Sequence, residues 1–424
     1  MNILIVNTAE KTGGAAIAAR RLMEALNANG VKARMLVRDK QSDHLCVSAL
    51  PRSPWLKMKF LWERLVVWMH QRFRKKHIWD VDIANVGTDI TRLPEFRWAD
   101  VIHLHWVNQG FLSLKDIERI LDSGKRVLWT LHDQWPTTAV CHYAANCNRF
   151  TEHCSHCPQM QSTHERDLAW RIFERKRSLY QKINRITFIG CSEWICQEAR
   201  KSALLRGVDS ERVNGSMSPC RVVHIPNTID QSVFRPTDSK AARLRFGLPL
   251  DRKLLLFSSL KVTDERKGVR YLLEACCILA DQHPEESSAY TIVMVGKQSA
   301  LQQSSSIPII SLPYMSDECE MALLYAAIDV FVTPSLQDNL PNTIVEAMSV
   351  GTPCVAFAVG GIPEMIHHLE DGFLATPRDA QSLADGIRYV LADANHGRLA
   401  ARAASFAART YSPERVVRQY ISAL

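Results

Sequence analysis

With 424 residues, the chain has room for two or three domains. Apolar residues make up 46% and charged residues 23%, a mix that excludes a disordered, collagen-like or coiled-coil chain. Lys and Arg outnumber Asp and Glu 52 to 44, for a net charge of +8. The excess lies in residues 1–227, with 34 cations to 22 acids; residues 228–424 carry 18 to 22. The first half therefore suits an anionic partner such as a membrane surface, a lipid phosphate or a nucleic acid. Met1-Asn2 runs straight into a strand-like segment with no basic leader, and no uncharged apolar stretch is long enough to span a bilayer. Eight of the twelve Cys are scattered through apolar surroundings and read as small buried hydrophobes. A reducing, cytoplasmic setting is expected, in which clustered Cys more often bind metal than pair.

Short β-branched runs alternate with helical patterns along the chain. Asn2–Asn7 is the first expected strand, and Ala15–Ala28 follows with Ile17, Leu22 and Leu26 on one helical face. Further strands are expected at Ala33–Arg38, Asp100–Trp106, Arg126–Asp133, Ile186–Ser192 and Val222–Asn227. The pattern restarts with Leu254–Ser259, Thr291–Gly296, Ile307–Pro313, Asp329–Pro334 and Pro353–Ala358. Strands alternating with helices imply parallel sheets with right-handed crossovers. Pro226 to Pro236 reads as a linker, giving two doubly wound domains, and a last helix follows at Pro413–Leu424. In such sheets ligands sit at the carboxyl ends of strands, so residues just after strands are the functional candidates.

The segment Pro334–Ala347, PSLQDNLPNTIVEA, directly follows an expected strand. A helix beginning near Asn339–Pro341 would place Asp338 at its start and Glu346 two turns further in. Free amides at that start suit a diphosphate, and a carboxylate further along can accept bonds from ribose hydroxyls. A capped helix, with Asp as N-cap and Glu on the surface, fits the spacing equally well. Lys261, Arg266 and Lys267-Gly268 lie on a loop after the strand Leu254–Ser259; they read as a solvated basic loop or as cations for a leaving diphosphate. Gly13-Gly14 after the first strand is either a tight turn or a close approach to a ligand. His132 ends the strand Arg126–Asp133, where a functional role competes with that of a core histidine. His103 and His105 fall inside an expected strand and read as structural.

Taken together, these segments resemble glycosyltransferase family 4, the large retaining family of GT-B enzymes. The stretch from Asp338 to Glu346 is similar to its E-x7-E signature, with Asp338 in place of the first Glu. The DNLPNT wording resembles bacterial enzymes of polysaccharide and glycan assembly. Lys261 to Gly268 is similar to the family's R-x5-K-G segment, with Lys261 in place of Arg and Lys267 matching the Lys. Lys offers a point charge and not the bidentate fork of Arg. Gly360-Gly361-Ile362-Pro363-Glu364 resembles the family's GG-x-PE loop, and Asn227 its linker Asn. The resemblance implies an α/β protein of GT-B architecture, with two Rossmann-like domains facing across a cleft. It implies an acceptor-side domain at 1–227, a nucleotide-sugar domain at 228–405, and residues 406–424 packing back toward the first domain. It implies catalytic roles for His132, Lys261, Lys267 and Asp338, and donor contacts from Gly13, Gly14, Arg266, Asn339, Leu340 and Glu346. The implied reaction carries a hexosyl unit from a UDP- or GDP-sugar to a lipid-linked glycan or a capsular, exopolysaccharide or lipopolysaccharide acceptor. No cofactor is required for it, because Lys and backbone amides can stabilise the departing diphosphate. A degenerate protein that only binds a nucleotide sugar, or scaffolds an assembly pathway, is the alternative. A dehydrogenase or epimerase is disfavoured because no G-x-G-x-x-G follows the first strand.

Two features stand apart. Cys141, Cys147, Cys154 and Cys157 form C-x5-C-x6-C-x2-C, whose last pair has zinc-knuckle spacing. A structural zinc is expected there, with free buried thiols or a disulfide pair as the alternatives. Residues 51–79 interleave Arg52, Lys57, Lys59, Arg64, Arg72, Arg74, Lys75 and Lys76 with Trp55, Phe60, Trp62, Trp68, Phe73 and Trp79. Met58, Leu61, Leu65, Trp68 and Met69 make an approximate helical stripe. Such a segment is either a peripheral anchor on the inner face of a membrane or an ordinary amphipathic helix packed on the first domain. Nucleic acid fits the charge, but no binding motif supports it.

Overall fold

The computed structural model describes residues 1–51, 53–74, 77–181, 186–206, 220–262, 264–297 and 305–424. The chain divides into two compact units, Met1–Pro226 with Val416–Leu424, and Asn227–Arg415.

The first unit holds a parallel sheet of β1 (Asn2–Ala9), β2 (Lys32–Asp39), β3 (Val47–Ala49), β4 (Val101–Leu104), β5 (Arg126–Leu131), β6 (Ile186–Gly190) and β7 (Cys220–His224). Its order is β3-β2-β1-β4-β5-β6-β7. The three-residue edge strand β3 has no counterpart among the sequence expectations, since Val-Ser-Ala is too short to show a period. Strands buried on both faces explain the unbroken apolar runs. On one face Leu4, Val6, Ile102, Leu104 and Trp129 join a core with Phe111, Phe173 and Phe188. On the other, Ile3, Ile5 and Leu128 pack with Leu22 and Leu26 of the helix Gly14–Ala28. The C-terminal helical span is split into Asp393–Thr410 and Pro413–Ala423. The latter sets Val416, Val417, Tyr420 and Ala423 into that second core.

The second unit holds β8 (Lys253–Lys261), β9 (Tyr290–Lys297), β10 (Ile309–Leu312), β11 (Val330–Thr333), β12 (Cys354–Phe357) and β13 (Gly372–Ala375), all parallel. Their order, β10-β9-β8-β11-β12-β13, reverses direction between β8 and β11. That pair is the topological switch point, where doubly wound sheets open a crevice beyond their strands. Leu255, Phe257, Ile292, Val330, Val332 and Val355 form the core under the helices Val269–Gln282 and Ala380–Leu391.

Candidate functional site

At the switch point of the second unit, three loops leave the carboxyl ends of β8, β11 and β12 and meet. The β8 loop folds into a tight turn, Glu265–Lys267, capped by the Asp264 side chain on the Arg266 amide at 3.0 Å. Gly268 closes it at φ +70, and a Cβ there would stand 2.0 Å from the Pro334 carbonyl oxygen. The Leu336 amide donates to the Arg266 carbonyl at 2.8 Å, stitching the β8 and β11 loops together. Gly360, in the β12 loop at φ +57, lies so close to the β11 loop that a Cβ would fall 1.8 Å from the Asp338 carbonyl oxygen. Both glycines are thus required by backbone contact as well as by conformation.

This stitching brings Lys267 and Asp338 together. Lys267 Nζ donates to Asp338 Oδ2 at 2.6 Å, while Arg266 Nη1 lies 4.0 Å from the same oxygen and donates to the Gln337 carbonyl at 3.1 Å. Asp338 is buried, which favours its neutral form, but the charges of Lys267 and Arg266 outweigh that and hold its carboxyl below the usual range. Asn339 and Leu340 are buried beside it, and the Asn339 amide donates to Asp338 Oδ1 at 3.2 Å. The Lys261 backbone ends β8, but its side chain lies outside the described ones.

The following helix spans Asn342–Ser349, with Pro341 as N-cap. Asp338 is therefore four residues ahead of the helix and not its cap, because proline presets the dihedral of the entry and ends the loop there. Pro341 supplies no side-chain cap to the first amides, and no acidic residue occupies the first turn. No carboxylate therefore offsets the partial positive charge of that helix end from within its first turn. Asn227 Nδ2 donates to Asn342 Oδ1 at 3.0 Å, tying the start of this unit to the same helix. Glu346 is buried one turn in, where its Oε2 accepts from the Tyr325 hydroxyl at 3.1 Å. Sequence reading missed Tyr325, since a tyrosine in an apolar helix carries no signal of its own.

In the first unit, the helix Gly14–Ala28 opens on Gly13 at φ +92, ψ 161, with no side-chain cap. No atom lies within 4 Å of a Cβ built at Gly13, so conformation, not crowding, calls for glycine there. His132 follows β5. Its Nε2 lies 2.8 Å from His105 Nδ1 and its Nδ1 3.7 Å from Cys191 Sγ, so both ring nitrogens already face protein groups. A sugar contact would have to displace one of them. Burial pushes His132 down to about 4 and keeps it neutral. His105 lies one residue beyond the end of β4 and not within it, and it was missed as the neighbour of His132. His103 does lie inside β4, where Nε2 sits 2.7 Å from Thr130 Oγ1. Asp133 accepts from Trp106 Nε1 at 3.0 Å and lies 2.8 Å from His142 Nδ1. Burial opposes charge on His142, but Asp133 overcomes it and raises the ring's affinity for a proton.

None of the four clustered cysteines is joined in a disulfide. Cys154 and Cys157 are buried, Cys141 and Cys147 half-buried. Burial drives the thiols of Cys141, Cys154 and Cys157 up to about 12, and they lie within electrostatic influence of one another. Among the described residues, no group of three or more His, Cys, Asp or Glu stands ready to hold a metal ion. The loop would have to draw in for four thiolates to share one.

These observations meet what comparison with known proteins finds. Residues 251–393 match the family model of glycosyl transferases group 1. That stretch contains every candidate of the second unit from Lys261 to Glu346. The chain is 34% identical over 221 residues to a D-inositol 3-phosphate glycosyltransferase of Nocardioides, covering 47% of each. It is 31% identical over 226 residues to the Mycobacterium bovis protein of that name, covering 51% of this chain and 44% of the other. The chain thus spans about half the length of the curated relatives it matches. Among solved structures, sucrose-phosphate synthase of Thermosynechococcus elongatus aligns with TM-score 0.64 at 20% identity, over 100% of this chain and 98% of that one. Anabaena HepE in complex with UDP-glucose aligns with TM-score 0.62 at 18% identity over the whole of both chains. The two α/β units have the GT-B fold, the fold class the sequence implied.

Proposed function

We propose that this chain is a retaining glycosyltransferase that moves a hexosyl unit from a nucleotide-diphosphate sugar to a lipid-linked glycan or surface polysaccharide. The single observation that carries the reading is the Lys267–Asp338 contact at the β8/β11 switch point, inside the segment matching glycosyl transferases group 1. The matched relatives and the UDP-glucose complex of HepE support a sugar nucleotide as donor, with UDP-sugars the first to test.

In this reading the donor diphosphate competes with Asp338 for Lys267 and Arg266. It also meets the amides at the start of the helix Asn342–Ser349. Asp338, freed from Lys267, turns to the sugar, and Glu346 takes the ribose hydroxyls. The acceptor hydroxyl oxygen bonds to the anomeric carbon as the bond from that carbon to the phosphate oxygen breaks. The proton passes from the acceptor hydroxyl to the leaving phosphate, and the nucleoside diphosphate departs. Lys267 and Arg266 stabilise the charge that builds on it. We assign the four cysteines a structural zinc that stiffens the loop after β5, with no part in the chemistry; four protein ligands leave no open position.

The pairing of Lys267 with Asp338 also suits a protein that binds a sugar nucleotide without turning it over, since the cation is already satisfied. Incubation of the full chain with UDP- and GDP-sugars and a membrane extract separates the two. Release of nucleoside diphosphate, with an α-linked product from an α-linked donor, supports the transferase. Donor binding with no release in any extract removes it.

A further inference from the structure

The helix Pro54–His70 has an inverted amphipathicity. Its charged residues Glu63 and Arg64 are buried with Val67, while its apolar stripe faces outward. Glu63 Oε1 accepts from the Ile83 and Ala84 amides at 3.2 and 2.7 Å. Arg64 donates to the Ile78 and Val81 carbonyls at 2.6 and 3.0 Å and to Asp82 at 3.1 Å. These bonds fix the helix's rotation about its axis. What remains outside is Trp55 (69% exposed), Met58 (56%), Leu61 (48%), Trp62 (52%), Leu65 (41%) and Met69 (41%). At about 100° per residue they occupy an arc of roughly 120°. Phe73 and Trp79 add two more exposed rings just beyond.

The stripe is edged by cations. Lys57 stands exposed on one side and Lys59 on the other, the latter donating to Thr88 Oγ1 at 3.0 Å. Arg72 and Arg74 are exposed past the helix end. Arg52, Lys75 and Lys76 belong to the same segment but lie outside the described residues. The helix's only acid, Glu63, is buried. Asp80, past the helix end, lies 2.7 Å from His77, and Asp39, in one groove with Lys57, pairs with Arg38. Beside Lys57 this groove of about 500 Å³ is lined by Arg38, Asp39, Pro54, Leu56 and Phe60. Six large apolar side chains left exposed on one arc of a helix are what an interaction surface presents. An apolar arc holding tryptophans between cations complements an anionic bilayer, whose headgroups meet the cations while the arc enters the acyl boundary. Among the described residues no helix is long and apolar enough to cross a membrane, so this contact would lie in the plane of the surface.

We propose that the outer face of Pro54–His70 docks the chain on an anionic lipid surface, with Trp55 and Trp62 at headgroup level. The proposal does not rest on the donor chemistry, and donor binding measured on the same variants keeps the two apart. The test is co-sedimentation of the full chain with vesicles of phosphatidylcholine alone or with one quarter phosphatidylglycerol. Binding is expected to the anionic vesicles, falling at least tenfold between about 0.1 and about 0.5 M salt. Trp55→Ser combined with Trp62→Ser should lower it at least tenfold with melting temperature unchanged. Charge reversal by Lys57→Glu with Arg72→Glu and Arg74→Glu should do the same. Absence of binding to anionic vesicles, or variants that bind like the parent, overturns the proposal. So does loss of self-association in the tryptophan variant with vesicle binding intact, which would make the face a contact between copies.

Discussion

Gly360→Ala offers a stringent test of how the three loops of the second unit are joined. The residue sits at φ +57, where an alanine costs about 1 kcal/mol from conformation alone. Its new methyl would stand 1.8 Å from the Asp338 carbonyl oxygen, whereas real Cβ atoms essentially never come within 3.0 Å. The partner is backbone, so the β11 loop must retreat by more than an ångström, carrying Asp338 off Lys267. Breaking a buried charged contact adds roughly 1–3 kcal/mol, for a total of about 2–4 kcal/mol. At about 2–4 °C per kcal/mol for a unit of this size, the calorimetric transition of the full chain should fall by roughly 5–15 °C. Gly247→Ala is the control: it is left-handed at φ +64 but nothing lies within 4 Å of a Cβ there, so only the conformational part applies. Equal effects of the two substitutions would refute the reasoning, because they would show that the contact between the loops contributes nothing.

The depressed carboxyl of Asp338 gives stability that is present above the unfolded carboxylate pKa and lost as pH falls through the folded one. Lys267→Met should therefore cost about 1–3 kcal/mol at pH 7 by urea titration and flatten the loss of stability between pH 5 and 3. Glu63 behaves in the opposite sense. Burial, then the negative charge of Asp82, raises its carboxyl well above the usual range. Its contribution is present below the unfolded pKa and is lost with rising pH. Glu63→Gln should raise stability at pH 8 by about 1–2 kcal/mol and flatten the slope from pH 5 to 8; an unchanged slope would contradict the buried, protonated state. Chain purified without chelator should carry close to one zinc per chain by elemental analysis. Replacing Cys154 and Cys157 together by Ser should remove it, and a metal-free parent of normal stability would discard the zinc site.

The long strands were legible because both of their faces are buried, so that runs such as LIV and LLLF stand out from their surroundings. The short edge strands β3 and β13 were not, since three or four half-buried residues carry no period. Asp338, Glu346 and Lys267 were found by resemblance, while the bond between Lys267 and Asp338 depends on Gly268 and Gly360 letting three loops touch. His105 was read as structural because a run of apolar and histidine residues hides where β4 stops. The rotation of Pro54–His70 was undecided for a different reason. Its inward Glu63 and Arg64 are held by Asp82 and by the Ile78–Ala84 backbone, partners that no local pattern announces.

The most direct measurement is calorimetric titration of the full chain and of Lys267→Ala with a UDP-sugar and a GDP-sugar panel. At least one donor should bind the parent, and the substitution should weaken that donor by tenfold or more while circular dichroism stays unchanged. Parent and variant binding the same donor equally well would contradict the assignment of Lys267 to the diphosphate.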